Sequence, residues 1–288
     1  MSENLTRKNL LRAALAGVAL AASVALTACA ATPAATDAET ESAAALPTIT
    51  EGKLTVGTGL PAYEPWVVGD KPESGKGFEA AVAYAVAKQL GFDAEDVVWV
   101  RTTFDEAIAP GVKNFDFNLQ QYSITDERKK SVDFSSPYYQ TTQTVITVAG
   151  SKAASAKSVA DLKGLVIGAA TGTTSFAAIE SVIKPTAGAK AFNSNDDAKA
   201  ALAAGQVDAI VVDLPTALYL TAVELDGGKI VGQLAGAASG DEFGLVLDKG
   251  SKLTAKVTAA VDALRADGTL QKLADKWLAA YAGAPVLK

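Results

Sequence analysis

The stretch LQQYSITDER, residues 119–128, ends on an arginine in an unusual place. Thr125 is a good N-cap, so Asp126, Glu127 and Arg128 fall in the first turn of a helix. Two acids suit the positive end of a helix dipole and an arginine does not. An anionic partner would supply the reason for it, because a guanidinium grips a carboxylate through two parallel hydrogen bonds. A second receptor is GAATGTTS, residues 168–175, between a strand-like and a helix-like segment. Gly172 permits a tight turn there, and the amides and hydroxyls of Thr173 and Thr174 would face an anion. The GxxxxGK[ST] pattern of a phosphate loop is absent. Asp213 closes the apolar run VDAIVV before Leu214-Pro215. It can pair with an ammonium group or cap a helix, and the two roles can coexist. The aromatic residues Tyr63, Trp66 and Phe104 fall on loops and are candidates to line a cleft.

Other chemistries are excluded by composition. The 288 residues contain no histidine, which removes a Ser-His-Asp triad, a His-ligated metal and a His base. The single cysteine removes an internal disulfide and a CxxC motif. A formal net charge of −6 argues against a nucleic-acid partner. No catalytic group, metal site or cofactor is expected.

The lone cysteine, Cys29, follows a charged start with Arg7, Lys8 and Arg12 and a charge-free run over residues 13–26. That is the layout of an export signal, too short to span a bilayer as a helix. The signal ends in LTAC, which resembles the lipobox of bacterial lipoproteins, with Cys29 as the lipidated residue. The plainer alternative is an ordinary cleaved signal with a chance cysteine. The expectation is a lipoprotein signal peptide over 1–28, a flexible tether over 29–50, and an extracytoplasmic domain anchored by lipid to the cell membrane.

The elements that must position these residues alternate strand and helix. KLTVGT, DVVWV, TQTVITVA, LVIGA and VDAIVV read as strands. Residues 78–90 form a helix with Phe78, Val82, Val86 and Leu90 on one stripe and Gly91 as its stop. Thr103, Ser158 and Ser194 are N-caps, and two helices span 253–266 and 269–281. This is an α/β pattern with parallel sheets. Two such series suggest two lobes, with a ligand crevice at the carboxyl ends of the strands.

At these residues the chain resembles the family 3 extracellular solute-binding proteins of ABC importers. SITDERKKSVDFSSPYY, GFEAAVAYAVAKQLGF, GTTS, GQVDAIVVD and DGTLQKLADKW carry the resemblance over about residues 53–278. It implies a two-lobed periplasmic-binding-protein-like (type II) α/β fold hinged on two crossover segments near 139–143 and 240–243. Lobe 1 would be 51–140 and 241–288, and lobe 2 would be 141–240. It further implies that Arg128 and the Thr173-Thr174 loop hold an amino-acid carboxylate and Asp213 the ammonium. Ser123 would contact the ligand, and Tyr63 and Phe104 would sandwich its side chain. Gln120 and Gln121 stand where small residues are usual, Gly59 where several relatives carry an Asp, and Ala170 and Val212 where some carry polar residues. Glu79 and Ala81 replace two acids. These departures argue against arginine, lysine or histidine as ligand and weaken a glutamine assignment. The aromatic pair, the two glutamines and the lack of a side-chain counter-charge favour a neutral or polar amino acid. The implied partners are an ABC permease and its ATPase, with the binding protein a monomer. Two competing readings are a dehydratase on the same fold and a module that signals amino acids to a partner protein.

Overall fold

The computed structural model describes residues 46–235, 240–279 and 283–288. The signal segment, Cys29 and most of the tether lie outside the described residues. The chain begins with β1 (Leu54–Gly59), α1 (Phe78–Gln89), β2 (Val97–Thr102), α2 (Phe104–Ile108), β3 (Phe117–Asn118) and β4 (Val132–Phe134). β5 (Tyr139–Thr141) leads into β6 (Gln143–Val148), α3 (Val159–Leu162), β7 (Ile167–Ala170), α4 (Thr174–Ala178), β8 (Lys190–Phe192) and α5 (Asn195–Ala203). Then come β9 (Ala209–Asp213), α6 (Leu214–Tyr219), β10 (Gly228–Leu234), β11 (Asp241–Phe243) and β12 (Val246–Asp248). The chain ends with α7 (Thr254–Ala266), α8 (Thr269–Leu278) and β13 (Val286–Leu287).

Local chemistry sets the boundaries. Thr103 and Glu106 form a reciprocal capping box that starts α2, and Ser158 and Asp161 do the same for α3. Ser194 caps α5 by accepting from the Asp197 N–H. Gly91, at φ +86°, occupies the left-handed position that lets the chain leave α1.

The first sheet has the order β2-β1-β3-β12-β4. β1 is parallel to β2 and β3, and β12 runs antiparallel to both β3 and β4. Its core joins Leu54 and Val56 of β1, Phe78, Val82 and Val86 of α1, and Val257 and Val261 of α7. The second sheet has the order β13-β10-β6-β9-β7-β8. Alternate residues of its strands enter separate clusters: Val145 and Val211 on one face, Ile146, Ile210 and Val212 on the other. This two-residue period with both faces apolar marks a sheet covered on both sides.

Both sheets are mixed rather than parallel. β6 is antiparallel to β9 and β10, because the chain crosses into the second sheet running against the strands that follow. β12 enters the first sheet in the reverse sense on its way back. The two crossings, β5 and β11, pair with each other, Tyr139 opposite Phe243 and Thr141 opposite Asp241. The C-terminal stretch expected in lobe 1 divides: β13 pairs parallel with β10, with Leu287 buried in the second sheet's core.

Candidate functional site

A cavity of about 130 Å³ opens where the carboxyl ends of β1, β2, β3, β7 and β9 meet. Arg128, Asp213, Thr173, Thr174, Gln120, Gln121, Tyr63 and Phe104 all line it. Thr103, Gln143, Ser175, Asn193, Asn195 and Phe243 join them. Among these lining residues Arg128 and Asp213 carry the only charged side chains.

Arg128 sits on a single 3₁₀ turn, Arg128–Lys130, not on the longer helix expected. Thr125 still acts as a cap, its hydroxyl accepting from the Arg128 N–H at 3.2 Å. Arg128 is 9% exposed, and its guanidinium carbon lies 5.2 Å from the Phe104 ring centroid, a cation–π contact. Nη1 donates to the Ser123 carbonyl at 2.7 Å and Nη2 to the Gly172 carbonyl at 3.0 Å. Burial lowers its pKa, yet a guanidinium stays charged in proteins. The two bonds aim the fork and use two of its five N–H donors. Glycine suits position 172 because its φ is +71°, a left-handed conformation that other side chains rarely adopt.

The Thr173-Thr174 loop is present, but its hydroxyls are committed to the protein. Thr173 Oγ1 donates to the Ala170 carbonyl at 2.7 Å and accepts from the Phe176 N–H. Thr174 Oγ1 donates to Asp241 at 2.7 Å, so the Ser123 hydroxyl, 3.1 Å away, donates to it. Gln143 Nε2 also donates to Asp241. What this loop offers an anion is the set of first-turn N–H groups of Thr174 and Ser175, which have no acceptor within their helix. Ser123 itself is buried behind Thr174 and does not line the cavity.

Asp213 caps α6. Its Oδ1 accepts from the Thr216 N–H at 3.1 Å and its Oδ2 from the Thr216 hydroxyl at 2.8 Å. Burial pushes its pKa up to about 6 against those two bonds, with the charge of Asp241 adding to the rise. Lone pairs remain on both oxygens for a cation facing the cavity.

The two glutamines are held differently. Asn118 Nδ2 donates to Thr102 Oγ1 at 2.9 Å, Thr102 bonds the Tyr122 hydroxyl, and that hydroxyl donates to Gln120 Oε1 at 2.9 Å. This chain turns the Gln120 amino group toward Gly59. A Cβ at Gly59 would lie 2.9 Å from Gln120 Nε2 and 2.8 Å from the Pro61 carbonyl. Gln120 therefore fills the space that an acidic side chain at position 59 would need. Gln121 has φ +51°, a left-handed conformation that costs about 1–2 kcal/mol. It is pinned there by Glu79, which accepts from Gln121 N at 2.8 Å, from its Nε2 at 2.5 Å and from the Tyr138 hydroxyl. Burial raises the Glu79 pKa to about 7 against those three bonds, and the nearby Asp213 charge raises it further.

Tyr63 meets the far side of the cavity, its hydroxyl bonded to Asp196, with burial and that carboxylate raising its pKa. Trp66, expected to line the cleft, does not. It is fully buried, edge-on to Phe78, Tyr139 and Phe243 at centroid distances of 6.0, 5.9 and 5.8 Å. Its indole N–H donates to Thr216 Oγ1 at 2.9 Å. Sequence reasoning missed Gln143, the first residue of β6, and Asp241, the first of β11, which the pairing of β5 with β11 brings within reach of each other. It also missed Thr216, three residues after Asp213, where the spacing of a side-chain cap was the available signal.

With this geometry in place, residues 54–280 match the bacterial extracellular solute-binding proteins, family 3. The chain belongs to that family. It is 34% identical over 225 residues to the L-arginine-binding protein of Pseudomonas aeruginosa, covering 75% of this chain and 84% of that one. It is 31% identical over 213 residues to the ABC transporter glutamine-binding protein of Bacillus subtilis, covering 72% of this chain and 75% of the other. A solved structure of an ancestral arginine-binding protein bound to glutamine superposes with a TM-score of 0.67 at 35% identity, over 79% of this chain and 98% of that one. The fold is thus the two-lobed α/β architecture of amino-acid-binding proteins, one lobe around each large sheet. The role it shares with its relatives is that of a transporter's substrate-binding protein. Among the described residues no helix is long and apolar enough to cross a membrane.

Proposed function

We propose that this chain captures a neutral or polar amino acid between its lobes and hands it to an ABC permease driven by its ATPase. One observation carries the reading: one cation and one anion, Arg128 and Asp213, are the charged side chains facing the cavity. A free amino acid brings one carboxylate and one ammonium. Both lose hydration on entering, so both need a partner of opposite charge. Arg128 and the N–H groups of Thr174 and Ser175 take the carboxylate, and Asp213 takes the ammonium. A cationic side chain would then enter without a counter-charge, since Gly59 carries none and Gln120 occupies the space. Tyr63, Phe104, Gln120 and Gln121 bound the side-chain end, with Asn193 and Asn195 able to hydrogen-bond a polar group.

Arg128 belongs to the first lobe and Asp213 to the second, so a ligand touching both favours the closed arrangement. In this reading 51–140 with most of 241–288 form lobe 1, 141–240 with the last strand form lobe 2, and β5 and β11 are the hinge. Cys29 anchors the mature protein, a monomer, to the membrane surface through lipid. The test is a thermal-shift screen of the protein against the twenty common amino acids. One or more neutral members raise the melting temperature, arginine and lysine do not, and Arg128→Ala abolishes the rise. A rise that persists in Arg128→Ala refutes the carboxylate assignment, and one produced by arginine alone refutes the neutral-ligand assignment.

A further inference from the structure

Trp66 packs with the first lobe and meets both crossing strands through Tyr139 and Phe243. Its indole N–H leaves that cluster to reach the second lobe, where it donates to Thr216 Oγ1 at 2.9 Å. The Thr216 hydroxyl has one proton, which goes to Asp213 Oδ2 at 2.8 Å. The bonds run in one direction, indole to hydroxyl to carboxylate, and all three groups are buried. Trp66 belongs to the first sheet's core and Thr216 to α6 beside the second sheet, so this bond runs from one lobe to the other. A phenylalanine at position 66 would keep the edge-on ring packing and lose the bond.

We propose that Trp66 is a positioning residue whose indole N–H, through Thr216, ties the orientation of Asp213 to closure of the cleft. This rests on the function proposed above, in which Asp213 receives the ammonium. Opening the lobes breaks the indole bond and frees the Thr216 hydroxyl to rotate. Closing restores it and fixes the carboxylate on the ligand. The hydrogen bond contributes only in the closed arrangement, so it acts as differential binding energy.

The test uses an equimolar mixture of the twenty common amino acids as probe. The chain has three tryptophans, so indole-labelled protein gives three ¹H–¹⁵N indole resonances, and the Trp66 signal is the one lost in Trp66→Phe. Adding the mixture to the unsubstituted protein is expected to move that resonance. The same addition moves the corresponding resonance of Thr216→Val less, because only the ring contacts with Tyr139 and Phe243 remain to report closure. In thermal-shift titrations Trp66→Phe raises the half-saturating concentration about fivefold, the equivalent of one neutral hydrogen bond. The double variant Trp66→Phe/Thr216→Val is no weaker than Thr216→Val alone. The inference is overturned if Trp66→Phe titrates like the unsubstituted protein, if the two losses multiply, or if the Trp66 resonance ignores the mixture. Asp213→Asn separates the two levels. If it binds the mixture unimpaired, the function itself is wrongly assigned; if it loses binding while Trp66→Phe does not, only the coupling falls.

Discussion

Replacing Asp213 with asparagine should stabilise the ligand-free protein at neutral pH while destroying its binding. Burial raises the carboxyl pKa from 3.8 to about 6. At pH 7 the charged group therefore holds the folded state roughly 3 kcal/mol above where an unshifted carboxyl would leave it. The sign follows from the direction of the shift. The folded state binds the proton more tightly than the unfolded chain, so the proton-linked stability is complete below 3.8 and is lost as pH rises through about 6. Asparagine removes that penalty. It also replaces one acceptor oxygen by an amino group, which forfeits one of the two Thr216 bonds at about 1 kcal/mol. The net gain is about 2 kcal/mol at pH 7, a rise of roughly 4–8 °C for a domain of this size. At pH 3.5 both versions are neutral at this position, and the variant should be the less stable by about 1 kcal/mol. Calorimetric melting of protein stripped of amino acids by unfolding and refolding, run from pH 3.5 to 8, reads both limbs. A variant that melts lower at every pH refutes the claim that the site stores a desolvated charge.

Other substitutions probe neighbouring parts of the same argument. Arg128→Lys replaces a planar fork held by Ser123 and Gly172 with a point charge, and should weaken amino-acid binding tenfold or more by calorimetric titration. Glu79 has its pKa raised to about 7, so its contribution to stability is also lost as pH rises through 7. Glu79→Gln should flatten the fall in urea midpoint between pH 5 and 8. An unchanged slope would place the titrating group elsewhere. Gly168→Ala should cost about 1–3 kcal/mol in urea unfolding, because a Cβ would lie 2.4 Å from Phe192 Cε2 and 3.0 Å from the Lys190 carbonyl of the adjacent strand.

What was legible in the chain was mostly local. Ser158, Ser194 and Thr103 announce their helices because capping is decided within four residues. Arg128 was conspicuous because its place offended the helix dipole, although the helix proved to be one turn. Gly172 was readable as a turn, but not as the residue whose carbonyl steers Arg128. Strand direction was not legible: a two-residue period is the same parallel or antiparallel, so β6 and β12 carried no sign of their reversal. β10, GKIVGQL, hides behind its own glycines. The face of an aromatic ring is also beyond local pattern. Trp66 and Tyr63 sit three residues apart, and one entered the hinge cluster while the other reached the cavity.

The interleaved order of the first sheet bears on how the protein is made. β12 lies between β3 and β4, so that sheet has a gap in its middle until residue 248 has been synthesised. The second sheet is encoded without interruption from Gln143 to Leu234 and needs only its edge strand from the C-terminus. The later-encoded half can therefore acquire its structure first, and the earlier half must wait, unpaired, for a strand from downstream. A chain released before residue 248 would keep exposed strand edges on β3 and β4, a surface for chaperones or for aggregation.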